Sequence, residues 1–188
     1  MTEVARPLKI SIFLQPATKP YCGPTCVKMV LGFYGIKISL NKLVKQLPMT
    51  ESGVDLCSMG LFLRSFGLVA MFLDSNSKDG GQVFYKSAIP LFVKGGGLLI
   101  ERSIRISDVE MAIVLGFPVI LNIESSRKPG RGHYVVVRGV GKKRVTINDP
   151  SYGQKTLSIK KIMSACHNWS GGAIIAIPNH IISNHLAD

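Results

Sequence analysis

Three β-rich runs stand close together in the second half of the chain: "PVILNIE" (118–124), "HYVVVRGV" (133–140) and "RVTIND" (144–149). β-branched residues fill them, and turn-forming stretches separate them: the polar loop "SSRKPGRG", the short "GKK", and a stop at Pro150. Connections this short join antiparallel neighbours, because a parallel crossover takes about a dozen residues or more. This block is the firmest constraint on the fold.

Before it, apolar residues recur with helical spacing. Cys26, Met29, Val30 and Phe33 mark one stripe between Gly23 and Tyr34, and Gly35 is placed to close the helix. "SLNKLVKQL" (39–47) reads as a short helix with Ser39 as its N-cap. "VDLCSMGLFLRSF" (54–66) reads as a third, ending at Gly67 and followed by strand-like "LVAMFL" (68–73). Residues 74–98 take no assignment, with "DGG" and "KGGG" as turns around short apolar pieces. "SDVEMAIVL" (107–115) is expected to be helical with Ser107 as cap. After the block, "SIKKIMSAC" (158–166) reads as a helix and "GAIIAIP" (172–178) as a last strand. Helices come first and an antiparallel sheet second, which predicts an α+β class. With no internal repeat or low-complexity linker, 188 residues suit one domain over 1–178 and a C-terminal tail at 179–188.

Composition removes several functional classes. Hydrophobic residues at 46 % and charged residues at 18 % argue against disorder. No apolar run approaches the roughly 18 residues of a membrane span. The opening "MTEVARPLKISIFLQP" carries too short an apolar core for a secretory signal, so a cytoplasmic location is expected. The net charge of +12 favours acidic partners, although a solvated basic surface is the plainer reading. Its densest clusters, "RKPGR" and "KKR", lack interleaved aromatics, so no nucleic-acid partner is expected. Four cysteines, Cys22, Cys26, Cys57 and Cys166, do not make a disulfide framework. Zinc at "CGPTC" would need a matching second pair, and Cys166–His167 is a poor one.

Cys22 stands where the first helix begins, ahead of Gly23–Pro24. Proline is tolerated in a first helical turn, and the free N–H groups at that end favour an anion. Sulfur there is biased toward thiolate, the nucleophilic form. A buried, inert thiol is the alternative, and it is the better reading for Cys26 one turn on. A nucleophilic thiolate needs a base and a group to orient that base. His133 opens an apolar strand and Asp149 closes the next. A three-residue loop at Val140–Lys142 would set them directly opposite, with Cβ atoms roughly 4.5–5.5 Å apart. Asn148 is a second-ranked orienter, since in a strand it points away from Asp149. Gln15, seven residues before Cys22, could donate to a developing oxyanion beside the Cys22 N–H.

In these segments the chain resembles the papain-like cysteine peptidases of the bacteriocin-processing, double-glycine family and its stand-alone relatives. The resemblance runs through Gln15, "CGPTCVKMVLGFYG", "SGVDL" (52–56), "GFPVILNI" (116–123), "GHYVVVRGV" and "VTINDPSYG", over roughly residues 10–178. The sixteen-residue step from His133 to Asp149 agrees with the family's spacing. It implies a papain-like fold, Cys22 as nucleophile, His133 as general base and acid, Asp149 as orienter and Gln15 as oxyanion donor. It further implies a peptide or protein substrate, no cofactor or metal, and a separate membrane transporter as a conceivable partner. Cleavage after a double glycine is an analogy from the family. The chain's own "DGG" and "SGG" read better as turns.

The leading expectation is therefore a thiol peptidase working through a Cys-His-Asp acyl-enzyme, processing a leader or precursor peptide. Transfer of the acyl group to another acceptor and a non-catalytic peptide-binding module are the alternatives. The loop before His133 is expected to flank the cleft and to prefer acidic residues through Arg127, Lys128 and Arg131.

Overall fold

The structure, a computed structural model, describes residues 6–72, 89–128 and 130–178. Helix α1 (Cys22–Phe33) ends in a tight turn that Gly35 enables with φ of 79°. Helix α2 (Leu40–Gln46) is capped by Ser39, whose hydroxyl accepts from Lys42 N–H. Helix α3 (Leu56–Arg64) is capped by Asp55, whose carboxylate accepts from Ser58 N–H. Strand β1 (Leu68–Phe72) follows. Within the unassigned stretch, residues 89–94 are helical and β2 (Leu98–Ile100) is a strand; "DGG" lies outside the described residues.

Helix α4 (Ile106–Val114) starts earlier than its sequence suggests. Arg105 is the N-cap, and Ser107 sits inside the first turn. The Asp108 carboxylate decides this start: it accepts from Arg105 N–H at 2.7 Å and from both terminal nitrogens of Arg102 at 2.7 and 2.9 Å. The antiparallel block becomes β3 (Val119–Glu124), β4 (Gly132–Val140) and β5 (Arg144–Asp149), continued by β6 (Gly153–Ser158). Helix α5 (Ile159–Trp169) and strand β7 (Ala173–Pro178) complete the described chain.

The strands form one sheet in the order β2-β1-β7-β3-β4-β5-β6. All pairings are antiparallel except β1 with β2. The fold is α+β, but helices and strands are not divided into two halves of the chain. β1 and β2 join the sheet beside β7, and α4 and α5 fall in the second half. The physical reason is that the central strands bury both faces, so they read as continuous apolar runs. Ile120, Tyr134, Val136, Ile174 and Ala176 face the layer built by α1, α2 and α3. Val119, Leu121, Val135, Val137, Ile147 and Ile175 face the layer of α4 and α5.

Two features position the site. The first is a bulge in β4: Val140 pairs with Val145 and Gly139 with Thr146, but Val137 pairs with Ile147 and Val136 with Asn148. Gly141 N–H donates to Arg144 O at 2.8 Å, so the turn is the two residues Lys142–Lys143 rather than Val140–Lys142, and Arg138 is the extra residue further along. His133 and Asp149 are therefore not directly opposite. Continuing the register sets Val135 across from Asp149, with His133 two residues further on the same face.

The second feature is an extended N-terminal strap. Leu8 N–H donates to Arg138 O at 2.6 Å, the Asn148 side-chain amide donates to Ile10 O at 3.1 Å, and Gln15 N–H donates to Pro150 O at 2.9 Å. The strap thus runs alongside the β4–β5 pair, from near its turn to its far end, and delivers Gln15 to the Asp149 turn.

Candidate active site

Cys22 is the first residue of α1, and Tyr21 before it makes no side-chain cap. The first bond of the ladder runs from Thr25 N–H to Tyr21 O, which leaves the Cys22 and Gly23 N–H groups outside it. Gly23 is required by packing. A Cβ there would lie 2.4 Å from Val54 Cγ1 and 2.9 Å from Met59 Sδ, with the Tyr134 ring at 3.5 Å. The "SGVDL" turn explains itself in the same contact: Gly53, at φ of 111°, swings Val54 onto the helix start beside Cys22. Cys26, one turn on, is completely buried, and burial pushes its thiol well above the ordinary range. It belongs to the core.

His133 Nε2–H donates to Asp149 Oδ1 at 2.9 Å. As diagonal neighbours the two side chains are still within reach of each other. The Cys22 sulfur also acts on the His133 ring, favouring its charged form, and with Nε2 taken by Asp149, Nδ1 is the nitrogen left to face it. Burial opposes a charge on His133, but the Asp149 bond, then the Cys22 sulfur, outweigh it. The imidazole pKa is pushed up to about 9. Burial likewise raises the Asp149 carboxyl, yet the bond and charge of His133, the Ser151 N–H at 2.8 Å and the charge of Lys155 hold it below the ordinary value.

Gln15 lies on the Asp149 side of this group. Its Nε2 donates to Ser151 Oγ at 3.2 Å, while its Oε1 is buried without a hydrogen-bond partner. A half-turn of the amide exchanges the two atoms: the oxygen would accept from the Ser151 hydroxyl and the NH2 would point where the lone oxygen now points. Asn148 is fully buried and bonded to the strap, so it supports Gln15 and does not orient His133.

Three further side chains border the site, and two of them, Lys155 and Trp169, were not singled out in the sequence. Lys155 Nζ lies 3.4 Å from Asp149 Oδ2 and 3.3 Å from the Tyr152 ring centroid. Arg127, from the loop before β4, brings Cζ within 4.3 Å of the same centroid. The Trp169 indole fills the space beside Gly132, where a Cβ would lie 2.6 Å from Nε1. Lys155 had a readable signal: Asp149 pairs with Gly153, so Lys155 is again a same-face diagonal neighbour. Trp169 had none. His167 bonds to Ile104 O away from this group, and His180 and His185 lie outside the described residues.

Among the described residues, no helix is long and apolar enough to cross a membrane. The Peptidase_C39 like family matches residues 7–170. No curated protein matches the chain. Among solved structures, a double glycine motif protease from an AMS/PCAT transporter, in complex with the leader peptide, is 19% identical with a TM-score of 0.60, covering 93% of this chain and 96% of its own. The peptidase domain of Streptococcus ComA, a bi-functional ABC transporter involved in quorum sensing, is 18% identical with a TM-score of 0.58 over 90% and 98%. A C39-like peptidase described as putative, from Bacillus anthracis, is 15% identical with a TM-score of 0.63 over 93% and 98%. These likenesses establish the fold: helices packed on a largely antiparallel sheet, as in those peptidases.

Proposed function

Because the chain belongs to the Peptidase_C39 like family, we propose that it is a thiol peptidase that cleaves a peptide bond through an acyl-enzyme. Cys22 attacks the scissile carbonyl. His133 Nδ1 takes the thiol proton and later gives it to the leaving amine, and Asp149 steadies the imidazolium through Nε2. Water activated by the same imidazole then releases the acyl group. The oxyanion is met by the Cys22 N–H, which stands outside the helical ladder, and by the turned Gln15 amide.

The observation that carries this reading is the His133–Asp149 bond at 2.9 Å, with Cys22 at the start of α1 acting on the same imidazole. The test is the alkylation rate of each cysteine near pH 6, read by peptide mass spectrometry, in wild type and His133→Ala. Fast, selective labelling of Cys22 that collapses without His133 supports the reading. Slow labelling of all four cysteines alike favours a peptide-binding module with the same fold.

The substrate class we infer is a leader or precursor peptide, by analogy with the leader peptide bound to a structural neighbour. A separate transporter is a fitting partner for the same reason. The basic loop 125–131 borders the group through Arg127 on Tyr152, which supports a preference for acidic residues on one side of the cleaved bond. Charge reversal at Lys128 and Arg131 then shifts the substrate profile; an unchanged profile removes the loop from recognition.

A further inference from the structure

Asp149 is almost wholly buried, and its carboxylate has partners on both oxygens. Oδ1 is shared by His133 Nε2 at 2.9 Å and Ser151 N–H at 2.8 Å, while Oδ2 faces Lys155 Nζ at 3.4 Å. The ammonium is itself seated 3.3 Å from the centroid of Tyr152, and the Arg127 guanidinium carbon is 4.3 Å from that centroid. Both cations therefore lie within contact of the one Tyr152 ring. An exposed lysine on a surface carboxylate is worth little. This one differs in having a buried partner and a ring face beneath it, which removes much of its water.

We propose that Lys155 is a positioning residue that tempers the charge His133 feels: it divides the Asp149 carboxylate between an imidazolium and an ammonium, and the Arg127–Tyr152 stack keeps it there. The proposal rests on the Cys22–His133–Asp149 reading above. Its logic is electrostatic. A carboxylate neutralised in part by Lys155 stabilises the imidazolium less than a bare one, so His133 releases its proton more readily to a leaving group. The charged and titratable groups around His133 are few: Cys22 and Cys26 on α1, Asp149 on β5, and Lys155 and Tyr152 on β6 and the turn before it. Arg127 approaches from the preceding loop. Across β3, His133 pairs with apolar Ile123, and Glu124 is engaged by Gly130 N–H at 3.2 Å. Among the described residues, Lys155 is the one cation bonded to the orienting carboxylate besides His133.

The experiment is an NMR titration of the His133 imidazole in protein carrying 13C-labelled histidine. The chain has only four histidines, so His133→Ala identifies the signal. In Lys155→Met the His133 midpoint moves up by about 0.3–1 pH unit, as expected for the loss of one nearby like charge. Lys155→Arg keeps the positive charge, and its midpoint stays nearer to wild type than that of Lys155→Met. A Lys155→Met midpoint that coincides with wild type, or moves down, overturns the proposal even where activity falls, because a merely structural lysine would not raise it. The titration needs no turnover. If Cys22 shows no selective reactivity yet the midpoint rises, the peptidase reading fails and the charge relationship stands.

Discussion

His133 and Asp149 are bonded at 2.9 Å although neither is the other's cross-strand partner. The turn alone would set Val136 across from Asp149; the extra residue Arg138 brings Val135 there instead, which leaves His133 two residues away on the same face. A diagonal pair leaves the second carboxylate oxygen turned toward the far strand, where Lys155 meets it.

Asp149→Asn retains an acceptor for His133 Nε2–H and removes the charge. The alkaline limb of kcat/KM, expected near the imidazole value of about 9, should fall by about one unit or more. Asp149→Ala removes the acceptor as well, and kcat should drop by about a hundredfold or more. Steady-state pH profiles separate the two effects.

Gln15→Ala should lower kcat by about 10²–10³-fold with little change in KM, the signature of a lost oxyanion donor. Cys22 alkylation should keep its wild-type rate, since the thiol and imidazole are untouched. A variant that loses both would mean that the strap shapes the thiol–imidazole pair and not the oxyanion.

Gly23→Ala sets helix propensity against packing. Alanine is better than glycine inside a helix by about 1 kcal/mol. Here its Cβ would enter the space of Val54 Cγ1 at 2.4 Å, and a β-branched, buried valine has little freedom to yield. The clash should win, with a net loss of about 1–3 kcal/mol in denaturant unfolding.

The His133–Asp149 pair gives stability a defined pH window. His133 has a folded value above its ordinary 6.5, so its contribution is complete below about 6.5 and disappears as pH rises through about 9. Asp149 has a folded value below its ordinary 3.8, so its contribution is present above 3.8 and is lost as pH falls through the folded value. The difference in melting temperature between wild type and His133→Ala should be largest between these limits and shrink above pH about 9.

Much of this arrangement was legible from residue types and spacing. Cys22 at a helix start, ahead of Gly23–Pro24, marked that sulfur as the candidate nucleophile, and Gly35 and Gly67 marked helix ends correctly. The β4–β5 register was not legible, because no residue type announces the bulge at Arg138 and the turn could close in more than one way. The α4 cap was misread for a different reason: Ser107 is a good cap by type, but the Asp108 carboxylate with its Arg102 partner fixes the start at Arg105. The joining of β1 and β2 to the main sheet depends on contacts between distant segments. Local periodicity carries no trace of those.

The order in which the sheet and α1 lie along the chain has a consequence for biogenesis. Helix α1 depends on neighbouring residues and can form early, whereas its partners on β4 and β5 lie more than a hundred residues later. Closing contacts at that separation is the slow part of folding. During synthesis on a ribosome, Cys22 therefore emerges long before His133 and Asp149. The thiol meets the imidazole only when β4 docks on α1, so the candidate site is absent from a nascent or half-folded chain.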